Sequence, residues 1–116
     1  MTKPGTMLRQ REIVLIPVPF TDLTSQKRRP VLIISHDRYN KSHQDIIVVA
    51  ITSHLTPTDY GVLLEADDLE IGTLPRVSLI RVDKIYTLSQ AIVVKVYGRV
   101  KPAILTRVRK LLRDLV

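Results

Sequence analysis

The sequence predicts a mainly β (α+β) fold, a small barrel followed by a C-terminal helix, and three observations carry that prediction. Short runs rich in Val, Ile and Leu recur at residues 13–16, 31–35, 46–51, 62–65, 77–81 and 91–97, with turn residues between them, the spacing of a small barrel. After residue 101 the apolar positions change to a helical period. The 116 residues are 45% apolar, without internal repeat or low-complexity segment, enough for one domain to bury a core without covalent staples. The expected organisation is a single domain over 1–116, with a loose tail at 1–10 and the helix at 101–116.

Arg11 and Glu12 open the first strand, which Pro17 and Pro19 end because neither donates to a ladder. Residues 21–29 form a polar loop, long for a hairpin. Runs 31–35 and 46–51 are continuous and β-branched, the pattern of strands covered on both faces, with a polar connection at 36–44. Pro57 and Gly61 break the chain in a second loop, 52–61. Three short strands follow, at 62–65, 77–81 and 91–97. In the last segment Ile104, Leu105, Val108, Leu111, Leu112 and Leu115 share one helical stripe. Pro102 suits the first turn, where its missing donor costs nothing, and Arg107, Lys110 and Arg113 lie toward the polar side, complementing the helix dipole.

A net charge of +7 favours an anionic partner, nucleic acid ahead of a membrane surface. From Lys95 onward seven cations stand against Asp114 alone, while Glu65, Asp67, Asp68 and Glu70 form an opposing acidic cluster. Either cluster by itself also reads as an ordinary solvated face. The longest apolar run, 46–51, is too short to span a bilayer. Prolines interrupt the first hydrophobic run, so the expectation is a cytoplasmic protein with no secretory signal and no membrane partner. With no cysteine, no clustered glycines and no paired histidine spacing, no metal and no cofactor are expected. Covalent hydrolase chemistry is unsupported, since no serine sits in a nucleophile elbow.

The stretch 19–35, PFTDLTSQKRRPVLIIS, organises the rest. Pro30 fixes its own backbone and pushes Arg29 into an extended conformation, holding the last of three consecutive cations at the mouth of a buried strand. Local pattern leaves two readings open, a functional loop or a solvated basic turn; Phe20 beside it either stacks on a base or closes the core. Thr52-Ser53 follows directly on the strand 46–51. If that strand and 31–35 are antiparallel neighbours, Thr52 and Arg29 converge. Taken alone, Thr52 reads as a turn residue.

Phe20-Thr21-Asp22-Leu23 leading into Arg28-Arg29-Pro30 and 31–35 closely resembles the MazF/PemK toxins, small endoribonucleases of bacterial toxin–antitoxin pairs. The resemblance runs from Glu12 to the C-terminus. Ile51-Thr52-Ser53 looks like the family's strand-end threonine motif, and residues 74–78, 80–85 and 87–88 resemble its later segment. Tyr97-Gly98 before an amphipathic helix fits its ending. One departure stands at the start: family members often place a Gly-Asp pair where this chain has Arg11-Glu12.

The resemblance implies an SH3-like antiparallel barrel with a C-terminal helix, a homodimer, single-stranded RNA as substrate, no metal, and neutralisation by a cognate antitoxin protein. It implies Arg29 and Thr52 as catalytic residues, with Ser35 and Ser53 lining the site. Phe20, Thr21, Asp22, Lys27 and Arg28 are the expected substrate-binding residues of the loop. The expected chemistry is attack of a ribose 2′-hydroxyl on the adjacent phosphorus, leaving a 2′,3′-cyclic phosphate and a 5′-hydroxyl. Arginine is a poor proton acceptor, and His36 is the first histidine to consider for proton transfer. Two alternatives come from other classes: a CcdB-like toxin that binds gyrase without nuclease activity, and a non-catalytic nucleic-acid-binding module carried by the basic C-terminal region.

Overall fold

In the computed structural model, which describes residues 7–18 and 27–116, seven strands form one antiparallel sheet in the order β4-β6-β3-β2-β1-β7-β5. The strands are β1 (Glu12–Pro17), β2 (Arg28–Ile33), β3 (Asp45–Thr52), β4 (Gly61–Leu64), β5 (Leu69–Ile71), β6 (Ser78–Ser89) and β7 (Lys95–Val100). Two helices complete the described residues, α1 (Asp37–Ser42) and α2 (Pro102–Leu115). The sheet curls into a half-barrel. All seven strands and α2 contribute to one inner apolar cluster, from Ile13 of β1 and Leu32 of β2 to Val100 of β7 and Val108 of α2. A second cluster, including Val14, Ile16, Val31, Ile33 and Val48, lies on the outer face. The uninterrupted β-branched runs thus belong to strands buried on both sides.

Helix α2 begins with Pro102 in its first turn and buries Ile104, Leu105 and Val108 against the sheet. Burial of each such side chain is worth about 1.5–3 kcal/mol, which anchors a helix whose other face is cationic.

Other boundaries depart from the sequence reading, each for an identifiable reason. Strand β2 begins at Arg28 rather than after Pro30, because β1 pairs with it as far as Pro17↔Arg28. The connection 36–44 contains α1, capped by the His36 Nδ1 atom, which accepts the Arg38 N–H. Strand β6 runs to twelve residues because it pairs first with β4 and then along β3, with a bulge that leaves Arg81 opposite Ala50 and Ile85 opposite Val49. Its polar residues hid that length. The last strand starts at Lys95, four residues later than expected, because residues 90–92 form a 3₁₀ turn capped by the Ser89 hydroxyl. Within the expected loose tail, residues 7–10 are held: Leu8 is buried, and the Gln10 amide donates to the Ile34 carbonyl at 2.8 Å.

Arg11 occupies the left-handed region, φ 79°, a conformation suited to glycine. The Arg11-Glu12 departure thus puts a side chain at a turn that favours glycine. Here the strain is offset by side-chain bonds. The Arg11 guanidinium donates to the Val100 carbonyl at 2.8 Å and pairs with Glu70 at 3.4 Å, while the Glu12 carboxylate accepts the Arg9 N–H at 2.7 Å.

Candidate active site

Strands β2 and β3 pair antiparallel through Val31↔Ala50, Leu32↔Val49 and Ile33↔Val48. The ladder stops there because the next residue, Pro30, has no N–H to continue it. Continuing the register past Val31↔Ala50 sets Arg29 opposite Thr52 and Arg28 opposite Ser53. Strand alternation assigns the faces. Val31, Ile33 and Val48 belong to the outer cluster and Leu32 and Ile51 to the inner one, so Arg29 and Thr52 share the outer face.

The strand ends form a ridge with a cleft on each side. Arg29, Pro30, Ile51, Thr52 and Ser53 line both clefts. The outer cleft, about 470 Å³, is bounded also by Ile16, Val18, His54 and Tyr86. The inner cleft, about 250 Å³, adds Arg28, Leu74, Arg76 and Tyr97. Arg29 is exposed, and its guanidinium has no hydrogen bond or ion pair among the described residues. Thr52 is half-buried, and its Oγ1 accepts the His54 N–H at 3.1 Å, so its hydroxyl proton remains available to an incoming acceptor. A guanidinium and a hydroxyl donor without acceptors among the described residues, lining one cleft, suit a phosphate. On neighbouring β6 the Arg81 guanidinium is spent on Asp83, at 2.8 and 3.0 Å, and holds that carboxyl below the usual carboxylate range.

Other expected site residues are placed differently. Ser35 lies at the far end of β2 from Arg29 and is buried. Its hydroxyl donates to the Asn40 side chain and accepts the Ile47 N–H at 3.0 Å, so it ties α1 to the sheet and lines neither cleft. His36 caps α1 at that same far end. Lys27 is exposed and outside both clefts, its carbonyl accepting the Val18 N–H at 3.0 Å. Phe20, Thr21 and Asp22 lie outside the described residues. Among the cleft residues outside the expected site set are His54, Arg76, Tyr86 and Tyr97. Only His54 carried a local signal, standing two residues beyond Thr52 along the chain. Among the described residues, no three His, Cys, Asp or Glu side chains gather as metal ligands.

Residues 9–116 match the family model described as PemK-like, MazF-like toxin of type II toxin–antitoxin systems. The fold is similar to that of an endoribonuclease in complex with its cognate antitoxin from a mycobacterial species, with TM-score 0.76 and 19% identity over 92% of each chain. It is similar also to the MazE–MazF structure from Deinococcus radiodurans, with TM-score 0.75 and 20% identity over 95% of each chain. The toxin MazF-mt6 of Mycobacterium tuberculosis gives TM-score 0.73 and 17% identity, covering 90% of this chain and 94% of that one. No curated protein matches the sequence. At these identities the structural likeness establishes the fold.

Proposed function

The chain belongs to the PemK-like, MazF-like toxins of type II toxin–antitoxin systems, and from that premise we propose that it is a sequence-specific, metal-independent endoribonuclease of single-stranded RNA. The observation that carries this reading is that Arg29 and Thr52 line the same two clefts. Two donors with no acceptor among the described residues stand at the edge of a cleft, on one face when the register is carried on from Val31↔Ala50.

The scissile phosphate sits between them. The 2′-oxygen of the preceding ribose attacks phosphorus, the P–O5′ bond breaks, and the products carry a 2′,3′-cyclic phosphate and a 5′-hydroxyl. Negative charge grows on the non-bridging oxygens during attack, and the planar, permanently charged Arg29 guanidinium stabilises it. Thr52 donates its hydroxyl to the same phosphate and holds the in-line geometry. The attacking 2′-hydroxyl loses a proton and the leaving 5′-oxygen gains one. His54 is the imidazole that lines this cleft, and it replaces His36 as the side chain for that transfer.

Partners follow from the same surface. An antitoxin segment that is acidic and apolar covers the cationic ridge and excludes RNA. The toxin works as a homodimer, and cytoplasmic RNA is its substrate. No helix among the described residues is long and apolar enough to cross a membrane.

The test is incubation of the protein with mixed transcripts in excess chelator, followed by mapping of the new ends. Cyclic phosphate at one end and 5′-hydroxyl at the other, lost in Arg29→Ala, is the expected result. Intact RNA, or equal cleavage by the Arg29→Ala protein, overturns the reading.

A further inference from the structure

The ridge has a second side whose chemistry differs from the first. The floor of the inner cleft is apolar, made by Ile13, Ile51 and Leu64 at the mouth of the half-barrel. Its rim carries the guanidinium groups of Arg28 and Arg76 and the ring of Tyr97, with no carboxylate among the lining residues. Neither the Arg28 nor the Arg76 guanidinium has a hydrogen bond or ion pair among the described residues, whereas those of Arg11, Arg81 and Arg99 are all paired with acids. Unspent cations have thus collected around one apolar hole.

The backbone assembles that rim. Gly72, φ 94°, turns the chain out of β5 so close to β7 that a Cβ there would stand 2.8 Å from the Tyr97 carbonyl. A Cβ on Gly98 would stand 2.6 Å from the Ile71 carbonyl. Leu74 and Arg76, which follow Gly72, line the cleft together with Tyr97, which precedes Gly98.

We propose that the inner cleft is a base-binding subsite, taking one unpaired nucleobase of the nucleotide adjoining the scissile phosphate. Tyr97 and Leu74 pack on the faces of the base, while Arg28 and Arg76 hold phosphates beside it. The inference rests on the reading of Arg29 and Thr52 as the phosphate site, and deepens it. Because both clefts share one ridge, a phosphate held at Arg29 and Thr52 leaves the adjoining nucleotide at the edge of the inner cleft. The cavity, about 250 Å³, is below the roughly 300–1,000 Å³ of pockets for larger ligands, and so fits one ring system rather than two stacked nucleotides. A base enters such a hole only when splayed out of a helix, which selects single strands.

The experiment compares mapped cleavage ends on mixed transcripts for the wild-type, Tyr97→Leu and Arg76→Gln proteins. Tyr97→Leu is expected to flatten base preference by about tenfold at the position adjoining the cut, while preferences further away persist. Arg76→Gln is expected to raise KM about tenfold with kcat retained, since a rim phosphate contact binds substrate and transition state alike. Arg76 is exposed, so this second variant reads the proposal even if Tyr97→Leu folds poorly. A binding arm, enrichment from a random single-stranded RNA pool on Arg29→Ala protein with and without Tyr97→Leu, gives the same comparison without cleavage. Unchanged preference at the adjoining position in Tyr97→Leu overturns the subsite, as does a fall in kcat with unchanged KM in Arg76→Gln. With either result, cleavage that still depends on Arg29 leaves the nuclease reading standing. A base preference enriched on the Arg29→Ala protein, when the wild-type protein cuts nothing, sinks the nuclease reading and keeps the subsite. Loss of antitoxin inhibition in Tyr97→Leu with every base preference intact assigns the cleft to a protein segment and overturns the proposal.

Discussion

The two ends of the β2–β3 pair carry similar side chains put to different uses. At one end the Ser35 hydroxyl is buried and engaged twice, with Asn40 and with the Ile47 N–H. The surrounding network is closed: the Gln90 side-chain amide donates to the carbonyls of Asn40 and His43 at 2.8 and 3.0 Å. At the other end Thr52 keeps its hydroxyl proton available, and the Arg29 guanidinium, lining the same clefts, has no partner among the described residues. A polar group whose valences are filled from within belongs to the fold, because removing it strands its partners. A group left with spare donors at a cleft has no such duty and is available to a ligand.

The contrast breaks most easily at Arg29. Arg29→Ala is expected to lower the cleavage rate by about a hundred- to a thousand-fold while leaving the thermal midpoint in place, because in the proposed mechanism the side chain stabilises charge, and it bonds nothing among the described residues. Single-turnover kinetics beside a melting curve decide it; a large loss of stability would place Arg29 among the structural cations.

Ser35→Ala is the reciprocal case. It leaves the Ile47 N–H and the Asn40 side chain short of a partner, so the expected loss is about 1–3 kcal/mol of stability with the cleavage rate of the folded protein unchanged. Urea unfolding measures the first and kinetics below the transition the second. A rate that collapses without a stability change would return Ser35 to the site.

Arg11 sharpens the rule as a guanidinium fully engaged in the fold. Arg11→Ala keeps the positive φ and loses the bonds to Val100 and Glu70, whereas Arg11→Gly loses the bonds and relieves the strain. The Ala variant is expected to be less stable than the Gly variant by about 1 kcal/mol, read from paired denaturation curves. Equal stabilities would mean the turn relaxes out of the left-handed region.

The smallest effect belongs to Asp83. Its folded pKa is lowered from 3.8, chiefly by the hydrogen bond from Arg81. The pair therefore stabilises the protein above the unfolded carboxyl pKa, and the contribution is lost as pH falls through the lower folded value. Asp83→Asn is expected to melt slightly below wild type at neutral pH, with the gap closing as pH drops below about 4. Melting curves across that range check it, and a gap that widens in acid would reverse the sign.

Much of this was legible in the residues alone, and the reason is locality. The runs around 13–16 and 46–51 and the amphipathic stripe after Pro102 declare themselves by period, which depends only on near neighbours. The Lys27-Arg28-Arg29 triplet before Pro30 and the threonine after a buried run are likewise features of contiguous sequence. What the sequence by itself left open was partnership. Ser35 and Thr52 are both small hydroxyl residues beside a strand; only packing closed a network over one and left a cleft beside the other. His36 and His54 exchanged standing for the same cause, one capping a helix while the other lines the cleft. Arg76 and Tyr97 come to one cleft beside the point where two glycines let the β5 and β7 backbones approach closely. Tertiary structure settled these because burial, register and cleft formation are contacts between residues far apart in the chain.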